Sequence, residues 1–173
     1  MTCDGIVSGN RSTRDLARRV AGLATARGLM VATAESCTGG LVAKTITDLP
    51  GASAHFRGGV VAYANDAKVR QLDIDAGDID THGAVSSTVA LQMALGACRR
   101  FSADVGMAVT GIAGPAGGTA EKPVGTVWIA VAYADGTGTS RLENLVGGRS
   151  SIREESVAAV LRLAAEVIVD RDS

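Results

Sequence analysis

The residue types that could do chemistry gather first in Ala34-Glu35-Ser36-Cys37-Thr38-Gly39-Gly40. The apolar run Leu29-Met30-Val31-Ala32 leads into this stretch, and Leu41 to Ile46 follows with apolar positions at helical spacing. A strand, a turn of small hydroxylated and glycine residues, and then a helix bring free backbone N–H groups and a positive helix end to one place. Such a place favours an anion. The same pattern also makes an ordinary strand-to-helix turn, with Ser36 or Thr38 serving only as N-cap.

Two nucleophiles compete on residue type. Ser53 lies in a small-residue loop, with Lys68 fifteen positions on. A lysine deprived of water loses its proton more readily and can activate a serine hydroxyl. Set against this, Ser53 could cap a turn and Lys68 could be one more solvated helix charge. Cys37, at a helix start, would have its thiol pKa lowered, yet no histidine is placed to serve as its base. A Ser/His/Asp triad would need His55 or His82, and neither sits in a supporting pattern. Glu35 has no second acid at a matching position for paired-carboxylate chemistry. Arg149 follows two glycines at a helix start, where it suits a phosphate or carboxylate or stands as an exposed arginine.

The elements that must position these groups follow from composition and punctuation. At 173 residues the chain has the length of one domain. Hydrophobic residues make up 46% but aromatics only 3%. The core is therefore built from Ala, Val, Leu and Ile, as when helices pack on a largely parallel sheet. A net charge of −1 without a basic cluster argues against a nucleic-acid footprint. No apolar run reaches membrane-spanning length, and the first residues do not form a signal peptide, so the expected location is the cytoplasm. Cys3, Cys37 and Cys98 lack paired spacing, and with His55 and His82 they make no metal set. Cys98 reads as a small buried hydrophobe.

In chain order, residues 1–10 read as a flexible polar arm and 11–170 as a single domain. Ser12 caps a helix that ends at Gly28. A strand at Met30–Ala34 and a helix at Gly39–Asp48 follow. The 52–57 loop leads to a strand at Gly58–Tyr63, and Asn65 or Asp66 caps a helix near Ala67–Leu72. Residues 73–82 read as a polar surface excursion. Ser86 or Ser87 opens a long helix to Arg100, and Ala103–Val109 is a strand buried on both faces. A long glycine-punctuated loop, of the kind that often carries function, runs from Thr110 to Pro123. Val124–Tyr133 and Thr139–Val146 form a hairpin around Asp135-Gly136. Ser151 and Glu154 stand at capping-box spacing in the last helix. The expected fold is α/β, a three-layer α/β/α sandwich with a mostly parallel, mixed sheet of about five strands. Ser36, Asn65 and Thr110 each follow a strand, so their loops are expected to share the ligand-binding edge.

Thr33 to Gly40 closely resembles the signature of the CinA C-terminal domain family. So do Pro50-Gly51-Ala52-Ser53, Tyr63 to Lys68, His82 to Ser86, Thr110 to Pro115 and Glu121 to Val127, in the family's order from about Asp15 to Val169. Stand-alone members look like the amidase that hydrolyses nicotinamide mononucleotide to nicotinate mononucleotide and ammonia. The resemblance implies a Ser–Lys amidase on an α/β/α fold, without metal or cofactor, usually homo-oligomeric. It implies Ser53 as nucleophile and Lys68 as base. Tyr63 and Ser36 would line the pocket, Thr38, Gly39, Thr110 and Gly111 would shape it, and Arg149 would meet the substrate phosphate. Departures are modest: His55 stands where many relatives have an aromatic residue, Ala64 replaces a frequent serine, and Gly148 replaces an acid or small polar residue. The large N-terminal domain of full-length members is expected to be absent.

One geometric difficulty accompanies the Ser53–Lys68 pairing. A strand from Gly58 to Tyr63 spans roughly 16–20 Å at about 3.3 Å per residue, and the two residues lie beyond its opposite ends. They meet only if the 50–56 loop folds back or the pair forms between subunits. Two alternatives remain beside this amidase: a catalytically silent nucleotide-binding or regulatory module, and a thiol amidase using Cys37.

Overall fold

In the strand Val105–Gly111, side chains alternate between two helical layers. Val105, Met107 and Val109 join one apolar cluster, and Ala108 joins the other. This strand is β3 of a five-stranded sheet that also contains β1 (Val31–Glu35), β2 (Phe56–Val61), β4 (Thr126–Tyr133) and β5 (Gly138–Asn144). The computed structural model describes residues 12–171, so the expected arm at 1–10 lies outside the described residues. The strand order is β2-β1-β3-β4-β5. β1 runs parallel to both β2 and β3, whereas β3–β4 and β4–β5 are antiparallel, giving the expected mixed α/β sheet.

Helices α1 (Thr13–Ala26), α2 (Leu41–Thr47) and α6 (Arg149–Asp170) cover the first face. Helices α3 (Asn65–Leu72), α4 (Ala76–His82) and α5 (Ser87–Phe101) cover the second. The sheet offers the second face mostly small side chains: Ala32, Ala34, Ala108, Ala130 and Ala132. That lets α5 approach closely. A Cβ at Gly106 would run into the carbonyl of Ala94 on α5. The shortage of aromatics is thus matched by close packing, since interiors hold few voids. Among the described residues, no helix is long and apolar enough to cross a membrane.

Ser12 caps α1 as expected, its Oγ accepting from the Asp15 amide at 3.2 Å, and Cys98 is buried. Three local expectations are corrected. Residues 76–82, read as an excursion, form α4, because Asp75 accepts from the Asp78 amide as N-cap and Ile79 is buried. Neither Asn65 nor Asp66 caps α3; Ala64 holds that position without a side-chain bond, and Asn65 begins the helix. In α6 the N-cap is Gly148, and Ser151 Oγ donates to Glu155 at 3.0 Å instead of closing a box with Glu154.

Candidate active site

Two parallel strands end side by side, and their exits carry the reactive groups. Ser36 is the first residue past β1, and its amide donates to the Val109 carbonyl at 3.0 Å, extending the β1–β3 ladder by one rung. The chain then turns through Gly39 and Gly40, whose φ values of 62° and 97° lie in the left-handed region. Glycine accepts that conformation without steric cost. From the exit of β2, Ala62 and Tyr63 lead into α3, which carries Lys68 one turn from its start.

Lys68 reaches from α3 to Ser36. Its Nζ donates to Ser36 Oγ at 3.1 Å, to the Ala62 carbonyl at 3.0 Å and to the Tyr63 carbonyl at 2.9 Å. The side chain is 1% exposed. Burial holds its pKa below the ordinary lysine range, and no carboxylate pairs with it among the described residues. A neutral lysine has two N–H donors and one lone pair. The two carbonyls match the donors, which turns the lone pair toward the Ser36 hydroxyl.

The pair lies in a cavity of about 250 Å³, also lined by Tyr63, Asn65, Thr110, Gly111 and Arg149. The loops after β1, β2 and β3 therefore converge as their positions past strands predict. Arg149, the first residue of α6, donates to the Gly114 carbonyl at 2.7 Å and to Tyr63 Oη at 3.2 Å, bridging the mouth. The Tyr63 side is open, with 59% of the residue exposed. Ala84 and Val85 form a further wall, held by side chains from elsewhere. Thr110 Oγ1 donates to the Ala84 carbonyl at 2.8 Å. Lys122 Nζ donates to the carbonyls of His82 and Val85, each at 2.9 Å.

The structure separates Ser53 from this assembly. Ser53 sits on a single 3₁₀ turn, Ala52–Ala54, ahead of β2, and is exposed. Lys68 follows the other end of that strand, and within the chain its Nζ already meets Ser36, Ala62 and Tyr63. Within one chain Lys68 thus meets Ser36 and not Ser53. Thr38 and Gly39 are likewise outside the cavity lining. Thr38 is fully buried with its hydroxyl unpartnered, and Gly39 provides the turn.

Two electrostatic expectations change as well. The start of α2, read as an anion site, is filled by the chain's own anion. The buried Glu35 carboxylate accepts from the amides of Gly40 at 2.9 Å, Val42 at 3.0 Å and Ala43 at 2.8 Å. Cys37 lines the cavity, but burial pushes its thiol up to about 11, opposite to the lowering expected at a helix start. It is a thiol at neutral pH, not a thiolate.

Sequence reasoning missed Arg153 and the roles of Lys122 and Glu35. Arg153 Nε donates to the Cys37 carbonyl at 3.1 Å, and Nη2 to the Thr38 carbonyl at 2.8 Å. Its spacing of four from Arg149 puts both arginines on one face of α6, a signal visible in the sequence once that helix start is fixed.

Comparison with known proteins agrees with this architecture. The CinA C-terminal domain family model matches residues 13–168. A CinA-like protein of Mycolicibacterium gilvum is 55% identical over 136 residues, covering 79% of this chain and 32% of that protein. One of Mycobacterium tuberculosis is 53% identical over 136 residues, with coverage of 79% and 32%. The chain thus spans about a third of the length of these relatives. A crystal structure of the competence/damage inducible protein CihA from Agrobacterium tumefaciens superposes with a TM-score of 0.86 at 41% identity, covering all of both chains. A CinA superfamily protein from Klebsiella pneumoniae superposes with a TM-score of 0.88 at 31% identity, over 92% of this chain and 99% of that one.

Proposed function

The chain belongs to the CinA C-terminal domain family, and from that premise we propose that it is an amidohydrolase that converts nicotinamide mononucleotide to nicotinate mononucleotide and ammonia. The observation that carries this reading is the buried contact of 3.1 Å between Lys68 Nζ and Ser36 Oγ, with no acid pairing with the lysine among the described residues. A serine becomes a useful nucleophile when a positioned base takes its proton. Lysine can be that base near neutral pH when desolvation favours its uncharged form.

Ser36 Oγ attacks the carboxamide carbon as its proton passes to Lys68 Nζ. The carbonyl oxygen becomes an oxyanion. The Cys37 amide, next after the nucleophile and bonded to no backbone carbonyl among the described residues, turns from its own thiol to stabilise it. The intermediate collapses, the C–N bond breaks, and Lys68 returns the proton to the leaving ammonia. Water then attacks the acyl-serine, again giving a proton to Lys68, and Ser36 is regenerated as nicotinate mononucleotide leaves. At the mouth, Arg149 and the uncapped start of α6 suit the substrate phosphate. The exposed ring of Tyr63 offers a surface for the pyridine ring.

Ammonia release from nicotinamide mononucleotide, followed with the wild type and a folded Lys68→Met variant, tests the proposal. Turnover by the wild type and its loss in the variant support it. Thermal stabilisation by the nucleotide without ammonia would replace it with a silent binding module.

A further inference from the structure

The turn that presents Ser36 is fastened at three places, each by a different part of the chain. β3 holds its start through the Ser36 amide and the Val109 carbonyl, at 3.0 Å. Glu35 holds its end through the amides of Gly40, Val42 and Ala43. Between these, the peptide units after Cys37 and Thr38 rest on Arg153 of α6, 115 and 116 residues away in sequence. From these contacts we infer that Arg153 is a positioning residue, one that aims the nucleophile turn without touching the substrate.

Arg153 makes no ion pair with an acid of the described residues; its guanidinium donates to two successive carbonyls, at 3.1 Å and 2.8 Å. A peptide unit is planar and trans, so fixing the direction of a carbonyl also fixes the N–H on its other side. Holding the Cys37 and Thr38 carbonyls toward α6 therefore fixes the rotation of both planes. The Ser36–Cys37 plane, which carries the amide assigned to the oxyanion and whose carbonyl accepts from the Gly39 amide at 3.1 Å, is then confined between the β3 rung and these fixed units. Gly39 leaves the space the contact needs, because a Cβ there would stand 3.3 Å from Arg153 Nη2. The guanidinium spreads these bonds over Nε and Nη2 of one rigid plane, a fork that the single nitrogen of a lysine does not reproduce.

This inference rests on Ser36 as the nucleophile, and its test separates the two. Arg153→Met and Arg153→Lys are compared with the wild type in three measurements. These are the rate of covalent labelling by a fluorophosphonate probe with the site read by peptide mass spectrometry, kcat and KM for nicotinamide mononucleotide, and the thermal midpoint. Misplacing a reacting group by about 1 Å costs roughly 10²-fold in rate. Arg153→Met is therefore expected to slow Ser36 labelling and kcat in parallel by about 10²-fold, with KM within about threefold, and Arg153→Lys to recover part of both. The acid limb of the pH–rate profile, which belongs to Lys68, stays in place.

A folded Arg153→Met that labels and turns over at the wild-type rate overturns the inference and leaves Ser36 untouched. So does a loss confined to KM, which would put Arg153 with substrate binding. A wild type that labels at Ser36 without releasing ammonia removes the proposed substrate, and the labelling rates still decide the role of Arg153. A wild type that does not label at Ser36 overturns the nucleophile and this inference with it. Should Arg153→Met fail to fold, Arg153→Gln carries the same comparison.

Discussion

Two serines stand in small-residue turns on neighbouring parallel strands, and their surroundings could hardly differ more. Ser36 leaves β1, is 8% exposed and meets a buried lysine. Ser53 precedes β2, on an exposed 3₁₀ turn. Because β1 and β2 are parallel, the exit of one and the start of the other lie at opposite edges of the sheet. Six residues of β2 separate those edges by about 20 Å. A serine gains catalytic surroundings from the edge it occupies, and only the exits converge on the cavity. Similar local sequences therefore have different chemical prospects.

The largest effect expected from this contrast is on turnover. Ser36→Ala should lower kcat for ammonia release from nicotinamide mononucleotide by roughly 10³-fold or more, whereas Ser53→Ala should stay within about twofold. Steady-state kinetics of the two folded variants decide it, and the reverse order would restore Ser53 to the site.

Lys68 gives the next effect, with a definite sign. As a base it works unprotonated, so kcat/KM should rise as pH increases through its lowered pKa. Stability should rise in the same direction. Between the lowered folded value and the ordinary unfolded one, the unfolded chain binds more protons, so raising pH favours the native state. Denaturant unfolding across this range should show that rise in the wild type and a flattened one in Lys68→Met.

A smaller change is expected at the wall formed by Ala84 and Val85. Lys122→Met removes two donors to this segment. It should raise KM by about tenfold with kcat within about threefold, because the wall lines the cavity away from the bonds of Ser36 and Lys68. A smaller effect than that of Lys122 belongs to the other residue of the turn that could have been a nucleophile. Cys37→Ala should retain turnover within about threefold, and iodoacetamide at about pH 8 should leave Cys37 unmodified in the folded protein, given a thiol pKa of about 11.

Much of this organisation was legible before any coordinates. The strand–turn–helix around Ser36, the hairpin after the long loop, and the sharing of one edge by Ser36, Asn65 and Thr110 follow from apolar runs and turn residues. The polar composition of 73–82 hid α4, whose single buried contact through Ile79 leaves almost no periodic signal. Resemblance to the family located Ser36, Ser53 and Lys68 as site residues; within one chain the structure brings Ser36, not Ser53, to Lys68.

The sequence by itself determined the layers, the mixed sheet, and the residues available at its ligand-binding edge, because hydrophobic period and turn chemistry are local properties. Tertiary structure alone decided which serine Lys68 meets, since that contact crosses 32 residues and depends on which strand ends lie together. The same holds for ionisation. Burial raised the Cys37 thiol, because its ionisation depends on how much water surrounds the group once the chain is packed.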